Sequence, residues 1–138
     1  MVRYMRWVYA GWFVLITAAI FVQLYLAGYG VFGFDGLRGF DAHRFVGDAI
    51  GVAIMVSVLL AFAARVPWRA TGINAALLVL MVIQGMLAFT GVQVVSALHV
   101  VNGVLILLVT LYLTRHALGL AAPSRTLTAQ VSAQGISR

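Results

Sequence analysis

The sequence contains no cysteine, and charged residues make up only 9% of it. Without cysteine the chain can form no disulfide, no zinc–thiolate site and no covalent attachment of haem through Cys-x-x-Cys-His. Ordinary soluble domains contain about a quarter charged and about half apolar residues. In this sequence the apolar residues reach 64%. A single domain of 138 residues does not bury that much apolar surface away from water. We therefore expect the chain to fold in a lipid bilayer.

Lysine and glutamate are also absent, and all nine basic residues are arginines. These arginines are scattered, and no basic stripe alternates with polar residues as a phosphate-binding face requires. The formal charge of +6 is better explained by the bias of membrane-protein loops toward basic residues. The sequence therefore predicts no nucleic-acid partner.

In place of charge the sequence has long apolar stretches, at approximately residues 8–28, 43–64, 72–90 and 94–114. Each is close to the ~20 residues that cross a ~30 Å hydrocarbon layer as a helix. Trp7 and Trp12 near the start of the first stretch are interpreted as interface anchors, and Pro67 ends the second. Short connections favour antiparallel neighbours. We predict an all-α, integral membrane, up-down four-helix bundle over residues 1–120.

The sequence contains an internal repeat. Gln23–Gly30 and Gln84–Gly91 share glutamine, leucine, alanine and a final glycine at the same spacing. After a connection, each copy continues at a histidine followed four residues later by a glycine, namely His43 with Gly47 and His99 with Gly103. This pattern predicts two tandem helical hairpins, each with one histidine where its second helix begins.

The distribution of charge predicts an orientation in the membrane. The side with no acidic residue contains Arg3, Arg6, Arg65, Arg69, Arg115 and Arg125. The other side contains Arg38 and Arg44 together with Asp35, Asp41 and Asp48. We therefore expect a multi-pass protein of a bacterial-type inner (plasma) membrane with both termini cytoplasmic. Residues 121–138, rich in Ser, Thr, Gln and Ala, are predicted to be a flexible cytoplasmic tail, with an amphipathic helix as the alternative.

The two histidines are the candidate site. Equivalent residues on diagonal helices of a square bundle face each other, so His43 and His99 should meet at equal depth in the outer leaflet. Two opposed imidazoles complete the coordination of a haem iron, and Gly47 and Gly103 would leave room for a flat group. The remaining predicted haem-site residues are Arg38 and Arg44, near the propionates, and Gln23 and Gln84, which could bond across the bundle or fix a histidine tautomer.

Three short motifs resemble the haem A synthase family. They are His43-Arg44, Gln84-Gly-Met-Leu-Ala, and Ser96-Ala-Leu-His99. That family consists of two similar four-helix halves, and the resemblance covers roughly residues 23–113, which is one half. It implies that His43 and His99 are the axial pair of one b-type haem. The chain has Asp41 two residues before its His-Arg, where the family has a catalytic glutamate directly before it. A further resemblance is to small bacterial four-helix membrane proteins with no assigned activity.

These patterns leave alternatives open. Asp41, Arg44 and Asp48 lie on one helical stripe and could neutralise one another. The histidines could bond to each other or to Asn102 and only hold the bundle together. The predicted function is a membrane b-type haem protein in single-electron transfer or haem handling, without independent catalysis and with an unknown redox or membrane-protein partner. The alternative function is that of a cofactor-free structural or accessory subunit of a membrane complex. Either function is compatible with a homodimer.

Overall fold

A computed structural model describes residues 1–33 and 36–122 of the chain. It contains four α-helices, and their bounds are α1 Val2–Phe32, α2 Asp41–Ala63, α3 Trp68–Ala88 and α4 Gln93–Ala121. A short 3-10 helix, Gly36–Phe40, precedes α2. The described ranges contain no strand, which confirms the prediction of an all-α fold with four helices. The predicted tail from residue 123 onward, with Arg125, lies outside the described residues, as does Asp35.

All four helices are long and apolar enough to cross a membrane. Their apolar residues are spread around the whole helix circumference, so that outward-facing side chains such as Leu59, Val100 and Leu108 are as apolar as the core. Helices that are apolar on every face are typical of a lipid environment. At 31 residues, α1 is about 46 Å long, more than the ~30 Å hydrocarbon thickness requires.

The helices form a square arrangement. Helix α1 packs against α2 and α4, and α3 packs against the same two helices. Within the described residues α2 and α4 make no close backbone approach to each other, and they are therefore diagonal. Successive helices alternate in direction, so α1 and α3 end where α2 and α4 begin. We call this the histidine end, and the opposite end, with Pro67, the proline end.

The core is narrow and is filled by large apolar side chains between the helices. Tyr9, Phe13, Ile54, Leu77 and Leu113 are essentially inaccessible. The Tyr9 and Phe13 rings meet edge to face with centroids 5.0 Å apart, an arrangement that aromatic pairs favour. This packing holds the helix axes in place along most of the bundle, from the proline end toward the histidines.

Helix α2 ends in a compact turn at the proline end. Arg65 adopts a left-handed conformation with φ of 51°, a role that glycine usually has. The amide of Val66 donates to the Ala61 carbonyl (3.0 Å) and that of Arg65 to the Phe62 carbonyl (3.1 Å), which satisfies two otherwise unpaired carbonyls. Pro67 then prevents continuation of the helix.

At the histidine end the 3-10 helix contacts the last turns of α1 through two glycines. A Cβ on Gly39 would lie 3.2 Å from the Gly30 Cα, and a Cβ on Gly30 would lie 2.7 Å from the Phe40 ring. Only residues without side chains allow this approach. Phe40 in turn meets the His43 ring edge to face at 6.1 Å, so the connection helps to position that histidine.

Candidate functional site

His43 and His99 meet across the diagonal of the bundle. Their ring centroids are 6.2 Å apart and the ring planes are inclined by 58°. His43 is the third residue of α2 and His99 the seventh of α4, and both side chains are partly buried. The structure thus brings together the two residues that the sequence singles out, and neither ring is directed away from the bundle.

Both imidazoles contact a backbone carbonyl of the preceding helix through Nδ1. His43 Nδ1 lies 3.2 Å from the Gln23 carbonyl oxygen, and His99 Nδ1 lies 3.0 Å from the Gln84 carbonyl oxygen. A carbonyl oxygen accepts hydrogen bonds and never donates them, so Nδ1 must carry the proton in both neutral rings. The lone pair of each ring is consequently on Nε2, the nitrogen available to a metal.

The Gln84 side chain engages His99 a second time. Gln84 Nε2 lies 3.1 Å from His99 Nε2, and Asn102 Nδ2 donates both to Gln84 Oε1 (2.7 Å) and to the Leu80 carbonyl (2.9 Å). The Leu80 carbonyl accepts a hydrogen bond, so the nitrogen of the Asn102 amide must face it. The same nitrogen donates to Gln84 Oε1, which fixes the Gln84 amide with its N–H toward His99. The lone pair of His99 Nε2 is therefore occupied by a hydrogen bond.

The Gln23 side chain makes a different contact. Its Nε2 donates to the backbone carbonyl of His43 at 2.7 Å. Its Oε1 is buried and has no hydrogen-bond partner among the described residues. Within the same residues, His43 Nε2 has no hydrogen-bond partner either. We call the five residues Gln23, His43, Gln84, His99 and Asn102 the histidine cluster.

The two glycines lie against the glutamine amides. A Cβ on Gly47 would be 2.9 Å from Gln23 Nε2, and a Cβ on Gly103 would be 3.3 Å from Gln84 Nε2. The space that the sequence analysis reserved for a flat group is therefore filled by side-chain amides. Because each glycine has no side chain, the glutamine amide can approach the helix one turn beyond the histidine.

The two predicted propionate-binding arginines are exposed. Arg44 lies 3.8 Å from the Asp41 carboxylate, with both side chains more than half accessible. This is the charge pairing along α2 that the sequence offered as an alternative, and at such exposure it contributes little stability. Arg38 is exposed and makes no ion pair within the described residues. Within the described residues, no side-chain hydrogen bond or ion pair joins either arginine to the histidine cluster.

In number and kind, the two imidazoles suit a haem iron and do not suit an ion held by protein ligands alone, although the glutamine amides occupy the space beside the glycines. Among the described residues no group of three or more His, Cys, Asp or Glu side chains could hold a metal. A haem iron needs only two protein ligands, since the macrocycle supplies four. Opposed imidazoles that bind one metal through Nε2 at ~2 Å each have centroids about 6 Å apart, close to the observed 6.2 Å, whereas His99 Nε2 here is directed at Gln84 Nε2.

A second polar cluster, absent from the sequence analysis, lies nearer the proline end. Ser57 Oγ donates to Asn74 Oδ1 (2.8 Å), and Asn74 Nδ2 donates to the Tyr9 hydroxyl (3.4 Å). All three side chains are at most 1% exposed. We call Tyr9, Ser57 and Asn74 the asparagine cluster. Isolated polar residues within two apolar stretches were the available signal, since such residues normally face the bundle interior.

Trp12 is a second residue whose role the sequence did not indicate. The sequence suggested an interface anchor, yet the side chain is only partly exposed and its indole N–H donates to the Ala53 carbonyl at 2.8 Å. The bond links α1 to α2 in the middle of the bundle. Trp7, one turn earlier, is about half exposed.

The fold and the site define an all-helical, four-helix protein with two imidazoles between diagonal helices. The chain belongs to a family of unknown function (DUF6220), whose family model matches residues 23–97, more than half of the chain. The matched range contains Gln23, His43, Gly47 and Gln84 and ends two residues before His99. No curated protein and no solved structure matches the chain.

Proposed function

We propose that the protein is a multi-pass membrane protein that holds one haem b between His43 and His99. A bound haem would supply one-electron chemistry at iron. The role is then single-electron transfer or haem handling, with a redox or membrane-protein partner and without independent catalysis. Four long apolar helices support the membrane assignment, and the paired imidazoles support the cofactor.

One observation supports the haem more than any other. Both histidines direct Nδ1–H to a main-chain carbonyl, so that Nε2 carries the lone pair, which is hydrogen-bonded to Gln84 in His99 and has no partner among the described residues in His43. The ring centroids are 6.2 Å apart, a separation suited to one iron. Haem and metal ligands in proteins are typically held in this way, since the second hydrogen bond fixes the ring and its tautomer.

The equivalent contacts also support the tandem-hairpin arrangement. In each pair of helices, α1 with α2 and α3 with α4, a glutamine carbonyl receives the histidine Nδ1–H and a glycine four residues later lies against the glutamine amide.

The bias of arginines toward the proline end supports cytoplasmic termini and an outer-leaflet position for the histidines. The plasma membrane of a bacterium is the proposed location, and a homodimer is compatible with the apolar outer faces.

Absorption spectroscopy tests this proposal. The full chain is expressed with ample haem and purified in detergent micelles. We expect a Soret band and a sharp α-band after reduction, both lost in His43→Ala and in His99→Ala. His116→Ala is the matched control, because His116 lies 17 residues beyond His99 on α4, about 25 Å along the helix, and stacks on Tyr112. Wild-type protein that is folded by circular dichroism but colourless would contradict the proposal.

A second candidate function is that of a cofactor-free accessory subunit of a membrane complex. It is favoured by the contacts of Asn102, Gln84 and His99, which satisfy one another without a cofactor. In this case the wild-type protein is colourless, and His99→Ala lowers the free energy of unfolding by about 1–3 kcal/mol, the usual cost of an unpaired buried group. Denaturing-detergent titration measures that difference.

A further inference from the structure

The two histidines have equivalent Nδ1 contacts but different surroundings at Nε2. His99 Nε2 accepts a hydrogen bond from Gln84 Nε2 at 3.1 Å. His43 Nε2 has no such partner within the described residues, and the corresponding Gln23 amide donates to the His43 backbone instead. The copies of the repeat thus differ at the nitrogen that would bind a metal.

A single residue accounts for this difference. Asn102 lies three residues after His99, one turn along the same face of α4. It donates to Gln84 Oε1 and is itself fixed by the Leu80 carbonyl, so the Gln84 amide has no freedom to rotate away. The residue three positions after His43 is Val46, which has no polar atom to hold Gln23 in the same way.

The unpaired atoms of the first copy agree with this explanation. Position 46 has no asparagine, and the side-chain amide of Gln23 donates instead to the His43 carbonyl. Its Oε1 is buried and has no partner among the described residues. Three further bonds stabilise the position of the Gln84 amide and the His99 ring in the second copy. His43 is therefore free to bind through Nε2, whereas His99 must first give up a hydrogen bond.

On the basis of the proposed function, we infer that His43 would remain bound to the iron, whereas another ligand could replace His99. The Gln84–Asn102 pair opposes the bond from His99, and the position on the His99 side accepts a small neutral ligand such as a diatomic gas. With a haem held between the two histidines, a small ligand that took the place of His99 would let His99 Nε2 recover the hydrogen bond from Gln84, and no electron or proton would be transferred.

The expected effect follows from one hydrogen bond. A buried amide left without an acceptor opposes the His99 bond by about tenfold, equivalent to about 1.4 kcal/mol. Removing the Gln84 amide should therefore strengthen the bond from His99 and weaken competing ligands by the same factor. Removing the Thr110 hydroxyl should not, because that hydroxyl bonds only to the Ile106 carbonyl of its own helix.

Carbon monoxide binding to the reduced, haem-loaded full chain measures this factor. We expect Gln84→Leu to lower the affinity for carbon monoxide about tenfold relative to the wild type, and Asn102→Val to lower it in the same direction. The control Thr110→Val, which removes a hydroxyl that bonds only within α4, should stay within about twofold of the wild type. Equal affinities in wild type and Gln84→Leu, or an equal decrease in Thr110→Val, would overturn the inference.

The haem-free protein provides an independent measurement. In ¹⁵N NMR spectra of the apoprotein in micelles, His99 Nε2 should resonate upfield of His43 Nε2, since it accepts a hydrogen bond, and Gln84→Leu should remove the difference. Identical resonances in the wild type would overturn the inference even if haem binds. A folded wild type that binds no haem would overturn the proposed function and the inference together, whereas unchanged carbon monoxide affinities would overturn the inference alone.

Discussion

The asparagine cluster and the histidine cluster both join helices through polar side chains, and they differ in how completely these side chains are enclosed. In the asparagine cluster, three helices contribute one residue each, and every side chain is at most 1% exposed. The histidine cluster is partly exposed and leaves Gln23 Oε1 without a partner among the described residues. Hydrogen bonds within the closed cluster join its three side chains, whereas the open cluster retains one buried amide oxygen that has no partner among the described residues.

Both clusters bridge a diagonal of the bundle, and they fill it differently. At the asparagine cluster Ser57 and Asn74 join the neighbouring helices α2 and α3, and Asn74 also reaches the long Tyr9 side chain on the diagonal helix α1. At the histidine cluster the two rings come from diagonal helices, which make no close backbone approach within the described residues. A gap between diagonal helices must be filled by long side chains or by a cofactor, and histidine is suited to both.

Replacing the two asparagines separately is expected to have the largest effect. Asn74→Leu leaves Ser57 and Tyr9 without a shared partner in a fully buried place, and should lower the free energy of unfolding by about 2–3 kcal/mol. Asn102→Leu should cost only about 1 kcal/mol, because Gln84 is partly exposed and can find other partners. Denaturing-detergent titration in micelles measures both. If Asn102→Leu were the more costly change, the histidine end would be the structural one.

Adding a methyl group to each glycine of the repeat should give a smaller effect. In Gly47→Ala the new Cβ would displace the Gln23 amide from the His43 carbonyl, and we expect a loss of about 1 kcal/mol. Gly103→Ala requires a shift of only a few tenths of an ångström, and the ~0.5–1 kcal/mol by which alanine favours a helix over glycine should offset it. Thermal unfolding of the two variants side by side provides the test. Equal losses would show that the two glutamines are held equally tightly.

The smallest effect concerns a contact between α1 and α4. The Thr17 and Thr114 hydroxyls are 2.8 Å apart, and a double-mutant cycle with valine at both positions should give a coupling energy of about 0.6 kcal/mol. Thr110→Val is the control, because its hydroxyl donates to the Ile106 carbonyl in its own helix. A coupling energy near zero would mean that the polar bonds between helices matter only in the fully buried asparagine cluster.

Much of the fold could be predicted because a chain expected to lie in lipid has few ways to satisfy its backbone. Four apolar stretches of sufficient length were therefore predicted to be helices, since a helix satisfies its own backbone in hydrocarbon. Pro67 marks the connection between α2 and α3 for a purely local reason, and the repeated glutamine, histidine and glycine identified the residues that meet near the histidine end. These features depend on the spacing of residues along the chain, which can be read without knowing the packing.

The sequence by itself determined the helices and the two histidines that face each other, since composition and a repeat specify both. Only the tertiary structure decided the hydrogen bonds at each Nε2. Whether Gln84 contacts a ring nitrogen or a backbone carbonyl depends on Asn102 being fixed by Leu80 across the α3–α4 contact. The glycines beside the glutamines, the inward indole of Trp12 and the asparagine cluster were decided in the same way. Such contacts depend on differences of an ångström between packed helices, and the spacing of residues along a chain does not encode distances that small.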